Sequence, residues 1–128
     1  NVLAPALQSA EKASIVNMSS GLAFLGQKNY GPYSNAKAAI ISLSKSLAAE
    51  LAPNIRVNSI APGAVNTDFL NDNEGNTRVD LEMYQKLIPL GAIAQPEEIA
   101  DLIMFLLSES SSHITGQCIH INGGAMMV

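Results

Sequence analysis

Apolar residues along the chain alternate between short β-branched runs and longer stretches with a helical period. Short runs of this kind, bounded by turn residues, are typical of strands in a parallel sheet. They predict three strands, at 14–18, 55–61 and 117–121. Because both faces of the 14–18 segment look apolar, we expect this strand to be buried.

The longer stretches predict helices between the strands. A long helix is expected over 32–52, since Pro32 suits a first helical turn and apolar residues recur behind it. A second begins at 95–98, where a proline and two acids stand at the favourable end of the helix dipole, and continues through Leu107. Shorter helical segments are expected at 5–12 and 80–88. The order strand, helix, strand indicates an α/β fold with right-handed crossovers.

Two segments are expected to be irregular. Residues 21–31 contain three glycines and predict a loop. Residues 64–91 are mostly polar, apart from the short helix near their end. A long insertion of this kind in a compact α/β unit is usually a functional lid or a disordered segment.

Composition narrows the class of protein. The 128 residues suit one domain, and 48% of them are hydrophobic, as in folded proteins. The net charge of −4, without a basic run, argues against a nucleic-acid partner, and no apolar stretch is long enough to span a membrane. With Cys118 as the single cysteine and with His113 and His120 lacking ligand spacing, we expect no disulfide, no metal site and a reducing cytoplasm. Asn1 is not a methionine, and the chain starts as if inside a longer protein.

Candidate chemistry centres on Tyr33 and Lys37. Four residues apart, their side chains fall on one face of the predicted helix, about 5–6 Å apart at Cβ. The phenol lies in the first turn, where the helix dipole favours negative charge, and the ammonium beside it favours the ionised phenol. This pairing is suited to general acid/base catalysis.

Ser20 adds a third group to this pair. It follows the first predicted strand and precedes Tyr33 by 13 residues. Alone, Ser20 could simply bond the backbone at a strand end, and Tyr33 could be a half-buried aromatic at a helix start. Together with Lys37 and the Pro62-Gly63 break after the second strand, they converge on the carboxyl edge of the sheet. Ligands bind at that edge in open parallel sheets.

These motifs resemble the classical short-chain dehydrogenase/reductase family, and within it the chain is most similar in pattern to the 3-oxoacyl-carrier-protein reductases. The resemblance covers residues 1–128 but matches only the C-terminal catalytic and substrate half of such an enzyme. It implies the C-terminal part of a Rossmann-type doubly wound parallel sheet, with about three strands and flanking helices. The matching segments are Ile15-Val16-Asn17-Met18-Ser19-Ser20, Tyr33-Ser34-Asn35-Ala36-Lys37, Arg56-Val57-Asn58-Ser59-Ile60-Ala61-Pro62-Gly63, Pro96-Glu97-Glu98-Ile99-Ala100, Ile114-Thr115-Gly116 and Ile121-Asn122-Gly123-Gly124.

The resemblance also implies roles for individual residues. Tyr33 would exchange a proton with a carbonyl or alcohol substrate while a nicotinamide coenzyme, NAD or NADP, exchanges a hydride. Ser20 would hydrogen-bond the substrate oxygen, and Lys37 would support the phenol and hold the nicotinamide ribose. The coenzyme-binding set implied is Tyr33, Lys37, Pro62, Gly63, Val65 and Thr67. Residues 66–91 would form the substrate loop.

Three alternatives remain open. Ser19 competes with Ser20, although the 13-residue spacing to Tyr33 favours Ser20. Tyr30 competes with Tyr33, because the seven-residue step from Tyr30 to Lys37 is the spacing of the enoyl-reductase branch. A non-catalytic remnant that keeps the fold for assembly is the third, but the complete set Ser20, Tyr33 and Lys37 favours an enzyme.

The coenzyme half of the family pattern does not occur in the sequence. No glycine-rich turn links a strand to a helix, so nothing in these residues would grip a pyrophosphate. The residue that selects NAD or NADP belongs to that half. We therefore expect the 128 residues alone to be inactive, and the parent protein to be a homo-oligomer, a dimer or a tetramer, as the resemblance implies.

Overall fold

The structure is a computed structural model that describes Leu7, Ser9, residues 12–71, Thr77 and residues 80–128. The helical segment expected at 5–12 lies largely outside these residues. Within the described part of the chain, none of the helices combines the length and apolar character that a bilayer crossing requires.

The described strands form one parallel sheet in the order β1-β2-β3. The strands are β1 (Ala13–Met18), β2 (Ile55–Pro62) and β3 (Cys118–Ile121). Register runs from Ala13 opposite Ile55 to Met18 opposite Ile60, and from Ser59 opposite Cys118 to Pro62 opposite Ile121. The three strands predicted from the sequence, and their parallel arrangement, are confirmed.

Helices occupy the connections. They are α1 (Gly31–Leu51), α2 (Leu81–Lys86) and α3 (Pro96–Leu107), with short 3₁₀ turns at Gly21–Ala23, Asp68–Leu70 and Glu109–Ser111. Asp80 begins α2 by accepting a hydrogen bond from the Met83 amide at 3.0 Å. At the start of α3 the carboxylate of Glu98 accepts from the Gln95 amide at 2.7 Å, as in a capping box. The helix predicted at 80–88 is shorter than expected, since it spans only Leu81–Lys86.

The core lies on both faces of β2. One buried cluster lies between α1 and β2 and contains Ala48, Ile55 and Val57. A second lies between α3 and β2 and contains Ile60, Ile99 and Leu106. The expectation that β1 is buried is wrong, since its residues are half-buried and Met18 is exposed. β1 is at the edge of the described sheet, whereas β2 has a strand on each side.

Two polar side chains, the half-buried Arg56 and the buried Asn58, connect the elements around β2. The Arg56 guanidinium donates to the carbonyls of Leu106 at 2.9 Å, Ser108 at 3.0 Å and Ile114 at 3.2 Å. It thereby satisfies carbonyls at the end of α3 that have no partner within the helix. Asn58, fully buried, donates to Ile114 and accepts from the Gln117 amide. These bonds fix the approach of the chain to β3.

Candidate active site

Ser20 stands just beyond the carboxyl end of β1. Its backbone is extended, and its Oγ accepts a hydrogen bond from the Leu22 amide at 3.2 Å, which caps the 3₁₀ turn Gly21–Ala23. Since the hydroxyl accepts in this bond, its own proton is available to another acceptor. Ser20 can therefore still donate to a ligand oxygen.

Ser19 is used differently. Its side chain is only 3% exposed, and its Oγ donates to the Lys37 carbonyl at 2.8 Å. That bond commits the hydroxyl proton to the backbone of α1 and ties the end of β1 to this helix. The two neighbouring serines therefore differ in whether the hydroxyl proton is committed to the backbone.

Tyr33 and Lys37 share one face of the first two turns of α1. The Lys37 Nζ lies 5.7 Å from the centroid of the Tyr33 ring. The same nitrogen donates to the Met18 carbonyl at 3.1 Å, so the ammonium is held at the end of β1. An ammonium has three donors, and two remain for other partners.

Two further aromatic rings flank Tyr33. The ring of Tyr30 meets it edge-on at a centroid distance of 6.3 Å, and the ring of Phe69 lies 6.4 Å away at an interplanar angle of 32°. Tyr30 is the residue immediately before α1, and Phe69 belongs to the 3₁₀ turn Asp68–Leu70. Tyr33 thus lies between the helix start and the beginning of the 66–91 loop.

A hydrogen-bond chain below the site fixes α1 on β1. The Asn17 amide nitrogen donates to Ser44 Oγ at 2.9 Å, and this hydroxyl donates to the Ile40 carbonyl at 2.7 Å. Ser44 is 1% exposed. Because buried polar groups without partners are costly, this chain favours one position of the helix on the strand.

The Pro62-Gly63 turn lies beside the end of β1. The Ser19 amide donates to the Ile60 carbonyl at 2.8 Å, which keeps the carboxyl ends of β1 and β2 adjacent. The Gly63 amide donates to Ile121 at 3.0 Å. A Cβ at position 63 would lie 2.9 Å from the Cβ of Asn122, the residue after β3, which is closer than such atoms approach, so this close contact requires glycine.

Val65 and Thr67 continue from this turn. Val65 forms a bridge with Ala94 and packs against the core cluster beneath α3. Thr67 is exposed, and its hydroxyl donates to the Val65 carbonyl at 3.4 Å. The structure therefore places Pro62, Gly63 and Val65 along one chain segment at the carboxyl edge, with Thr67 farther out on the surface.

Three further side chains lie near this edge, and two of them, Tyr84 and Phe69, did not stand out in the sequence. Tyr84 accepts from the Ala64 amide at 3.3 Å, Phe69 lies against Tyr33, and Asn122 accepts from Gly124 at 2.9 Å and donates to the Met126 carbonyl. Tyr84 and Phe69 are aromatic residues in a polar segment, which was the available signal. Their partners are distant in sequence, and no periodicity reveals them.

Cys118 and His120 lie in β3, where their neighbours are packing contacts. Cys118 is half-buried in β3, and the His120 ring contacts the Phe24 ring at a centroid distance of 4.6 Å and an interplanar angle of 55°. Among the described residues, no cluster of histidine, cysteine or acidic side chains could hold a metal ion.

The chain matches known proteins over nearly all of its residues. Residues 2–126 match a family model described as enoyl-(acyl carrier protein) reductase. The 3-oxoacyl-[acyl-carrier-protein] reductase of Aquifex aeolicus is 45% identical over 111 residues, which are 86% of this chain and 44% of that protein. The chain thus spans about half the length of the curated relatives it matches.

Solved structures share the fold. A 3-oxoacyl-[acyl-carrier protein] reductase from Brucella melitensis with bound NAD superposes with a TM-score of 0.83 at 36% identity, covering 98% of this chain and 45% of that one. The ligand-free aldohexose dehydrogenase of Thermoplasma acidophilum gives a TM-score of 0.87 at 31% identity, covering 94% of this chain and 51% of that one. With the family match over nearly all residues, these likenesses show that the chain belongs to the short-chain dehydrogenase/reductase family of oxidoreductases.

Proposed function

We propose that these residues form the C-terminal catalytic and substrate half of an enzyme that transfers a hydride between a nicotinamide coenzyme and a carbonyl/alcohol pair. The observation that carries the proposal is the Tyr33–Lys37 pair. Lys37 is anchored on the end of β1 and holds its ammonium 5.7 Å from the centroid of the phenol ring. A fixed positive charge stabilises negative charge that develops on a neighbouring oxygen.

In carbonyl reduction, Tyr33 gives its phenolic proton to the substrate oxygen as that oxygen becomes an alcohol. The coenzyme, when bound, supplies the hydride that the carbonyl carbon receives and is itself oxidised. Ser20 donates its free hydroxyl proton in a hydrogen bond to the same oxygen and stabilises its developing charge. Alcohol oxidation reverses both transfers, with the Tyr33 phenolate accepting the proton.

The chemistry of the donors suits the nicotinamide end of NAD or NADP. Lys37 has two unused N–H donors for ribose hydroxyls. Pro62, Gly63 and Val65 would line the nicotinamide, Val65 would offer backbone groups to its carboxamide, and Thr67 would bond the carboxamide or the pyrophosphate. No glycine-rich turn between a strand and a helix occurs in the sequence. We therefore propose that the 128 residues alone do not catalyse the hydride transfer.

Membership of the short-chain dehydrogenase/reductase family also supports a proposal for the class of substrate and for the oligomeric state. Relatives with similar sequences are 3-oxoacyl-[acyl-carrier-protein] reductases, and one structural neighbour is an aldohexose dehydrogenase. We propose a small-molecule carbonyl or alcohol substrate and a homo-oligomeric parent, a dimer or a tetramer.

Enoyl reduction with Tyr30 as the acid is the second candidate. The description of the matching family model favours it. Against it, Lys37 lies over the ring of Tyr33, and Tyr30 meets that ring only by its edge. A panel of carbonyl and enoyl thioester substrates separates the two reactions.

The decisive test replaces Tyr33 by phenylalanine in the complete protein that contains this chain. We expect carbonyl turnover to fall by about 10²–10⁴-fold, the range for losing a general acid, while coenzyme binding persists. Tyr30→Phe should keep most of the activity. The opposite ranking of the two variants would favour Tyr30, and a complete protein that binds neither coenzyme would favour the non-catalytic remnant.

A further inference from the structure

Residues 62–65 extend the Pro62-Gly63 turn as far as Val65 and are called here the Pro62–Val65 turn. Helix α2 contacts this turn through the hydroxyl of Tyr84. This phenol oxygen accepts a hydrogen bond from the Ala64 amide at 3.3 Å. Ala64 stands between Gly63 and Val65, the residues proposed above to face the nicotinamide. A side chain of the substrate loop is therefore bonded to the backbone of the proposed coenzyme turn, twenty residues earlier in sequence.

The contact fits a tyrosine beside a glycine. A Cβ at position 63 would lie 3.4 Å from the Tyr84 hydroxyl, so the oxygen lies closely against the Gly63–Ala64 peptide. Tyr84 accepts in this bond and keeps its own proton for another acceptor. A phenylalanine would fill the same space without offering an acceptor to Ala64.

Apart from Tyr84, α2 is held mainly by residues that follow it. The helix has six residues, all of them exposed or half-buried. Ile88, 5% exposed, packs against Gly123, and the Leu90 amide donates to the Gly123 carbonyl at 3.1 Å. The Gln85 side chain donates to Gly91 at 2.6 Å within the same segment. The contacts with Gly123 attach the end of the loop to the segment after β3, whereas Tyr84 attaches α2 to the turn after β2.

We propose that Tyr84 is a positioning residue that holds the Ala64 amide and couples the docking of α2 to coenzyme binding at the Pro62–Val65 turn. The proposal rests on the function proposed above for that turn. By linkage, a coenzyme that binds better when the turn is held also stabilises the docked helix, and the docked helix strengthens coenzyme binding by the same factor. Tyr84 thus acts through the backbone and need not touch the reacting atoms.

The test compares Tyr84→Phe with the complete wild-type protein. Amide hydrogen exchange at Ala64 should become about 3- to 10-fold faster, and the dissociation constant of the reduced coenzyme should rise by a similar factor, as expected for one neutral hydrogen bond. Protection of α2 on adding coenzyme should decrease. Met83→Leu, an exposed change on the same helix, is the matched control and should alter none of these quantities.

Each outcome decides a separate point. Unchanged exchange at Ala64 overturns the hydrogen bond, and faster exchange with coenzyme affinity within two-fold of wild type overturns the coupling. Faster exchange throughout the protein indicates a general loss of stability and also overturns it. If the complete wild-type protein binds no nicotinamide coenzyme, the proposed function fails and the coupling fails with it, whereas the exchange measurement still tests the Tyr84–Ala64 bond.

Discussion

The two sides of the candidate site are attached to the sheet by different contacts. On the Tyr33 side, side-chain hydrogen bonds of 2.8–3.1 Å at Ser19, Ser44 and Lys37 join β1 and its carboxyl end to α1, and the two serines are buried. On the substrate-loop side, α2 is exposed or half-buried and depends on Tyr84 and on the contact of Ile88 with Gly123. Elements with few buried contacts open at lower cost than the core. The groups proposed to transfer the proton thus stand on a firmly attached helix, whereas α2 beside them opens at lower cost.

Gly123→Ala should have the largest effect on stability and should weaken the loop side. Its φ of +62° is unfavourable for alanine, and the added Cβ would lie 2.5 Å from Ile88 Cγ2. We expect the free energy of unfolding to fall by about 2–3 kcal/mol, from overpacking and backbone strain. Denaturant titration of the complete protein measures this change.

Gly26→Ala is the control for Gly123→Ala, because a Cβ at position 26 meets nothing within 4 Å. It should change the free energy of unfolding by less than about 0.5 kcal/mol. Hydrogen exchange in Gly123→Ala should accelerate in α2, whose opening relieves the overpacking, by more than at the α1 amides that exchange through local fluctuations, which do not relieve it. Equal acceleration in both helices would show that the two sides are one cooperative unit.

Ser44→Ala should have a smaller effect, on the Tyr33 side. It leaves the Asn17 amide without its acceptor and removes a buried hydroxyl. The expected loss is about 1–2 kcal/mol in the free energy of unfolding, typical of an unsatisfied buried donor. Ser46→Ala on the exposed side of the same helix is the control. Because alanine favours a helix more than serine at either position, an equal loss in both variants would mean that the hydrogen-bond chain does not account for the effect.

Phe69→Ala should have the smallest effect and reports on the contact between the two sides. The ring is 64% exposed and lies 6.4 Å from the Tyr33 ring. Since it contacts the proposed acid without carrying chemistry, we expect KM for the carbonyl substrate to rise by about 2- to 5-fold, the scale of one partly exposed apolar contact, with kcat nearly unchanged. Steady-state kinetics measures both. A large fall in kcat would instead assign Phe69 to positioning Tyr33.

The sequence predicted the sheet better than it predicted burial or the loop. β-branched runs gave three strands within about two residues of their observed ends, because strand length and flanking turns are local properties. The burial of β1 was overestimated, because apolar residues on both faces of a strand do not determine how much of it the neighbouring elements cover. The helix expected over 80–88 shortened to Leu81–Lys86, because Asp80 caps its start and the chain then turns to place Ile88 in the core.

The spacing of Tyr33 and Lys37 on one helical face was determined by the sequence alone, because a helix repeats every 3.6 residues wherever it is found. Only the tertiary structure decided that Lys37 binds the Met18 carbonyl, that Ser19 bonds to α1 while Ser20 keeps its proton, and that Tyr84 reaches Ala64. Most of these contacts join residues that are distant in sequence. Those of the two serines give different hydrogen bonds to neighbouring residues of the same type. They arise where a parallel sheet brings the ends of β1 and β2 side by side, and no local pattern specifies that meeting.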